Sequence, residues 1–181
     1  LHISFEQQII GIGAVIVYAG DIVKEVVPEL FYYYGVVVHG FGLMCVAIGL
    51  KVVQKVGRVK LLQYGGVVIC CCLLVTGINF LRDKEDRNDY TILIAVVLLR
   101  GVFSFTLGPI VWLYMAEIVK PNIIPYGTIV NWFGATLVML LFPILKEHLG
   151  GPGWIFIFNA CFCLLSIIIN AFTLVETKDK H

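Results

Sequence analysis

Residues 91–115 read TILIAVVLLRGVFSFTLGPIVWLYM, 25 residues that carry one charge, Arg100. A helix that crosses a bilayer needs about 20 mostly apolar residues for about 30 Å of hydrocarbon. This run is long enough. It is apolar on all faces rather than along one stripe, as expected where lipid and neighbouring helices share the contact. Working outward, comparable runs lie near 61–81, 30–50 and 3–23 upstream, and near 124–145 and 154–175 downstream. Barrel strands alternate and are about ten residues long, so spanning strands do not fit. The chain reads as an all-α membrane protein with six transmembrane helices.

Composition agrees. Of 181 residues, 60% are hydrophobic and 14% charged, and mean hydropathy is +0.95. Soluble domains carry about 25% charged residues, so the lipid bilayer has to be part of the solvent. The net charge of +1 gives no reason to propose nucleic acid. Cys45, Cys70, Cys71, Cys72, Cys161 and Cys163 all fall inside apolar runs, without metal-ligand spacing. They read as small hydrophobes between helices.

The separators hold the polar and helix-breaking residues: Lys24-Glu25 with Pro28, then 51–60, 82–89, 117–125 and 146–153. The second connection contains Lys51, Lys55, Arg58 and Lys60 and no acid. Cytoplasmic connections are enriched in Lys and Arg, which places it inside. The fourth connection and the C-terminal tail then share that side, and the mixed-charge stretch 82–89 lies opposite. Six spans put both chain ends on the cytoplasmic side.

Polar groups within hydrocarbon are costly and are functional candidates. Glu6, Gln7 and Gln8 sit together in the first span, with Tyr18 a few turns on. The two amides either bind hydroxylated ligands or join helices by hydrogen bonds. Arg100 either faces protein, water or an acid, or snorkels to a boundary. Asn131-Trp132 in the fifth span is open to the same pair of readings as the glutamines. Gly108-Pro109 interrupts the fourth span, and broken backbone is tolerated where it lines a cavity; this is the expected gate. His2, His39, His148 and His181 are scattered, with no Cys/His or carboxylate cluster beside them. No metal, cofactor or enzyme activity is therefore expected.

Several motifs now stand in a telling order: Gln7-Gln8-Ile9-Ile10-Gly11-Ile12, Gly57-Arg58, Gly108-Pro109-Ile110-Val111-Trp112 with Glu117, Asn131-Trp132, and Val175-Glu176-Thr177-Lys178. This set resembles the C-terminal half of the sugar porter family of the major facilitator superfamily, whose pattern runs QQxxGIN, GRR, GPIPW with a following Glu, NW and PETKG. The resemblance implies that the six spans are the second of two six-helix bundles. The substrate site then lies near the midplane between the halves, and rocking of one bundle gives alternating access. It further implies that Gln7 and Gln8 are sugar ligands, Asn131 a polar neighbour, and Phe103 and Trp112 aromatic walls. Gly108 and Pro109 let the fourth span bend. Gly57, Arg58, Glu117 and Glu176 belong to a cytoplasmic charge cluster that holds the inner side closed. The basic-residue orientation puts that cluster on the same side. Family glutamines at mid-membrane make the chain a piece of a longer transporter, lacking its N-terminal six-helix half.

The departures bear on substrate. Gly13 and Gly42 stand where family members carry ligand asparagines, Val17 replaces one tyrosine of a pair, Val59 the second Arg of GRR, and Val111 the second proline of GPIPW; Asp179 replaces the final glycine of PETKG. Each lost hydrogen bond to a polar ligand is worth about 0.5–1.5 kcal/mol. The expected function is transport of a sugar or similar polyol. The alternative is a degenerate relative acting as a sensor or as a structural subunit of a membrane assembly.

Overall fold

The computed structural model describes residues 2–178, and every regular element among them is helical. In order these are α1 (His2–Ile9), α2 (Ile12–Val26), a 3-10 turn (Pro28–Leu30), α3 (Phe31–Val56), α4 (Arg58–Leu81), α5 (Asp89–Phe105), α6 (Leu107–Ile118), α7 (Ile124–His148) and α8 (Gly153–Thr173). Asp179, the last residue of the PETKG-like stretch, lies outside the described residues, as do Leu1 and His181.

Among the described residues, five stretches are long and apolar enough to cross a membrane: Pro28–Val56, Arg58–Leu81, Asp89–Ile118, Ile124–His148 and Gly153–Thr173. The expected first span differs. It is divided into helices of 8 and 15 residues, neither of which reaches that length alone. The divider is Gly11, whose φ of +81° lies in the left-handed region. A side chain there would also collide with Asn159 of α8, whose Nδ2 lies 2.0 Å from the position of a Cβ. Only glycine satisfies both the dihedral and the contact.

The fourth span is broken too, but not where the Gly-Pro pair stands. The chain leaves helical geometry at Thr106 (φ −115°, ψ −99°) and restarts at Leu107. Proline lacks an N–H and its ring clashes with the carbonyl four residues earlier. Breaking at Thr106 puts Pro109 in the first turn of α6, where the missing donor costs nothing.

The connections are shorter than the charges suggest. The basic stretch 51–60 is almost wholly helical, and Gly57 alone (φ +95°) separates α3 from α4. Lysines outside the hydrocarbon extend helices readily, since their propensity is high.

In the bundle α4 lies along α8 and α5, α3 runs along α5, and α1 packs on α7. One apolar cluster joins them, with Ile69, Leu73, Ile92, Ile110 and Phe156 wholly buried. Much of the remaining apolar surface, including Tyr32, Val36, Leu43, Phe133 and Phe172, is exposed on the outside. In water that would be a liability; for helices wetted by acyl chains it is the ordinary state.

Candidate functional site

Three of the expected site residues meet in one hydrogen-bonded knot. Gln7 is buried in α1; its Nε2 donates to the carbonyls of Leu107 (2.7 Å) and Gly108 (3.1 Å) in the first turn of α6. Its Oε1 accepts from Asn131 Nδ2 at 2.7 Å. Asn131, on α7 and 1% exposed, gives its second N–H to the Ser4 carbonyl at 2.8 Å. Gln8 Nε2 completes the set by donating to Asn131 Oδ1 at 3.0 Å.

The arithmetic of donors is informative. A primary amide offers two N–H groups and one oxygen with two lone pairs. Gln7 and Asn131 spend both donors and one acceptor pair each inside the chain. Gln8, half-buried, keeps one N–H and its Oε1 without a partner among the described residues. Of the three amides, Gln8 is the one with capacity to spare. Its Oε1 lies 3.4 Å from where a Cβ on Gly13 would be, and the Met139 methyl lies 3.2 Å from that same point.

The other side chains form no hydrogen bond in the knot. Phe103 is half-buried before the α5–α6 break and its ring lies over Gly108, within 3.2 Å of a hypothetical Cβ. Trp112 is half-buried on α6 against the main apolar cluster. Pro109 is exposed. Tyr18 goes elsewhere, stacking on Phe142 at 4.6 Å and reaching the Met139 carbonyl at 3.4 Å. Glu6 accepts from Asn170 Nδ2 at 3.0 Å.

A second cluster gathers at one end of the bundle. Arg58 donates from Nη2 (2.7 Å) and Nε (3.1 Å) to Glu117 Oε1. Glu176 caps α4: its carboxylate accepts the backbone N–H groups of Arg58 (2.8 Å) and Val59 (3.2 Å). Negative charge at a helix N-terminus is favourable, and orphan amides there need acceptors. Gly57 makes the approach possible, because a Cβ would sit 2.7 Å from Glu176 Oε2. Burial opposes the charged form of Glu176, but the N–H groups of Arg58, Lys178, Lys60 and Val59 outweigh it and hold its pKa below the ordinary 4.5. Thr177 Oγ1 donates to the other Glu117 oxygen, and Tyr114 both donates to the Val175 carbonyl and accepts its N–H at 3.0 Å. The four residues expected in one charge cluster are thus in contact.

At the opposite end Arg87 pairs with Asp89 (2.6 Å) and with Glu25 (3.2 Å) at the end of α2. Its guanidinium lies 5.4 Å from the centre of the Phe80 ring. Burial disfavours the charged Arg87, yet the two carboxylates raise its pKa overall.

Sequence reasoning assigned no role to Ser4, Tyr114, Asn159 or Asn170, and none to Thr177 beyond its place in the motif. Asn159 and Asn170 carried the same signal that singled out Asn131, an amide inside an apolar run. The backbone roles of Ser4 and Leu107 have no side-chain signature.

The whole chain, residues 1–181, matches the family described as "Sugar (and other) transporter". It is 26% identical over 184 residues to the mouse (Mus musculus) solute carrier family 2, facilitated glucose transporter member 3, covering 98% of this chain and 37% of that protein. It is 27% identical over 189 residues to a D-xylose transporter of Levilactobacillus brevis, covering 99% and 41%. Among solved structures, the proton:xylose symporter XylE bound to 6-bromo-6-deoxy-D-glucose superimposes with a TM-score of 0.85 at 21% identity, over 97% of this chain and 39% of that one. The inward-open xylose transporter XylE from E. coli gives 0.83 at 21% identity, over 99% and 38%. The chain therefore spans about two fifths of the length of the proteins it resembles. With broken apolar helices, a buried amide knot and a family match from its first residue to its last, this multi-pass membrane chain belongs to the sugar (and other) transporter family.

Proposed function

We propose that the chain is the C-terminal half of a carrier that moves a sugar or similar polyol by alternating access. The amide knot carries this reading. Gln7, Gln8 and Asn131 bind together three helices, two of them broken, around the Leu107 and Gly108 carbonyls. Broken helices around polar groups at mid-membrane are the usual construction of a transporter site. Gln8 supplies direct hydrogen bonds to the cargo, Gln7 and Asn131 hold it in place, and Phe103 and Trp112 are the aromatic walls. Bending at the Thr106–Pro109 break opens and closes the pathway. Arg58, Glu117 and Glu176 latch the end that the basic residues assign to the cytoplasm, and the remaining half of the cavity wall comes from an N-terminal bundle. Proteins of similar sequence are named for glucose and xylose.

A degenerate relative acting as a sensor or subunit is the second reading. It is favoured by Gly13 and Gly42, which offer no side chain to a ligand, and by the internal saturation of Gln7 and Asn131. Expression of the full-length protein in cells that lack hexose uptake separates the two. Uptake of at least one monosaccharide above background is expected. Protein at the cell surface with no uptake of any neutral or carboxylated sugar overturns the carrier.

A further inference from the structure

Where α1 meets α4, α6 and α8 lies a small cavity with a polar lining. Its volume is about 20 Å³, enough for one water-sized body. α1 contributes Glu6 and Gln7 to it, α4 Gln63, and α8 Ser166 and Asn170. Gln7 is also a member of the amide knot, so the cavity adjoins the knot directly. Asn170 Nδ2 donates to Glu6 Oε2 at 3.0 Å and holds the carboxylate in place. Glu6 Oε1 accepts no hydrogen bond among the described residues. The Gln63 amide and the Ser166 hydroxyl make none either, although Ser166 is only 7% exposed. Polar groups in such surroundings are paired with protein, water or an ion, so unused oxygens lining a cavity mark a site for a small species.

The donor set indicates which species. Carboxylate, amide and hydroxyl oxygens are the ligands that hard cations take. No Lys or Arg side chain lines the cavity, and Arg58 is engaged by Glu117. His2, one turn before Glu6 on α1, acts on that carboxylate electrostatically. Among the described residues no three His, Cys, Asp or Glu side chains converge. The site therefore offers one negative charge, which balances a monovalent cation and leaves a divalent one uncompensated. Entry is short. Gln63 lies five residues into α4 from Arg58, and Asn170 three residues before α8 ends at Thr173. Helix rise then puts them about 8 and 5 Å from the end that carries the Arg58–Glu117 pair. Glu6, Gln63 and Asn170 are half-buried, whereas Gln7 and Ser166 are buried.

We propose that Glu6, Gln63 and Ser166 bind one alkali cation, sodium or potassium, and that this ion is coupled to sugar binding at the amide knot. The ion site stands on these residues alone; its coupling rests on the sugar-carrier reading. Glu6 and Gln7 are neighbours on α1. A cation held by Glu6, Gln63 and Ser166 ties α1 to α4 and α8, while Gln7 ties it to α6 and α7. Ion binding thus steadies the helix that presents Gln7 and Gln8, and each ligand favours the other.

The test is equilibrium binding of radiolabelled sodium, and of rubidium as the stand-in for potassium, to the purified full-length protein in nanodiscs. Ionic strength is held with choline chloride at fixed pH. Saturable binding of one of the two ions is expected, and which one binds identifies the ion. Glu6→Gln should weaken it about tenfold or more, the worth of one contact between a charge and a polar group, and Ser166→Ala should weaken it less. D-glucose or D-xylose affinity of the wild-type protein should rise about fivefold or more when that ion replaces choline, a comparison that needs no variant to fold. Saturable binding of neither ion, or undiminished binding in folded Glu6→Gln, overturns the site. Sugar affinity that follows pH alone, with neither ion bound, marks a proton site and overturns the cation assignment. An ion bound without any change in sugar affinity overturns the coupling. An ion bound by a protein that binds no sugar overturns the carrier reading and leaves the ion site standing.

Discussion

Asn131 Nδ2 lies 2.7 Å from Gln7 Oε1, a buried hydrogen bond between residues 124 positions apart that joins α7 to α1. Both amides are then fully occupied as donors, so this bond holds a site in shape more than it offers one to a ligand.

Removing Asn131 tests that role. Asn131→Ala leaves Gln7 Oε1, Gln8 Nε2 and the Ser4 carbonyl without their present partner. A buried group left unpaired costs about 1–3 kcal/mol, so the thermal unfolding midpoint in detergent should fall. Because the residues share partners, Gln7→Ala combined with Asn131→Ala should cost less than the sum of the two. Strict additivity in that cycle would mean the knot is not a unit.

Gly11→Ala should destabilise through two separable effects. The left-handed φ of +81° costs an L-residue about 1–2 kcal/mol, and the new methyl meets Asn159 at 2.0 Å. Adding Asn159→Ala removes the collision but not the strain. The double variant should therefore recover part of the lost midpoint and stop short of wild type.

Gly57→Ala acts at the other break. With φ at +95° and Glu176 Oε2 2.7 Å from the new carbon, the carboxylate has to leave the α4 N-terminus. Backbone amides of Arg58 and Val59 should then exchange hydrogen faster, as measured by mass spectrometry, and Thr177→Cys in that background should label more quickly.

Acid should loosen the same contact. The folded pKa of Glu176 lies below its ordinary 4.5, so its stabilising effect is fully present above 4.5. It is lost as pH falls through the lower folded value, because only the unpaired state binds the proton until then. Protection of Arg58 and Val59 amides should therefore hold at neutral pH and decline below about 4.5 in step with protonation. Glu176→Gln should flatten that dependence.

Much of this was legible in the sequence. Unbroken apolar runs such as 61–81 revealed their helices, because hydropathy over some twenty residues leaves few alternatives. The resemblance implied that Asn131 lies near Gln8 and that Arg58 and Glu117 share a cluster, but not the hydrogen bond or the ion pair that joins each pair. Hydropathy averages over a window, so it could not show that Gly11 takes a left-handed φ and divides the first span. Nor could it place the fourth-span break at Thr106, three residues before the proline that suggests it. Arg100 Nε and the Tyr34 hydroxyl are buried without a hydrogen-bond partner among the described residues, which depends on the packing of the whole bundle, and no local pattern records that.

The central claim is that polar groups at the broken helices form a sugar site with Gln8 as its direct ligand. Sugar binding to the purified full-length protein, compared between wild type and Gln8→Ala at equal folded fraction, tests it most directly. The account predicts weaker binding in the variant, about tenfold for each 1.4 kcal/mol of hydrogen bonding lost, beyond any fall in unfolding midpoint from leaving Asn131 Oδ1 without its donor. Unchanged affinity in Gln8→Ala would contradict it.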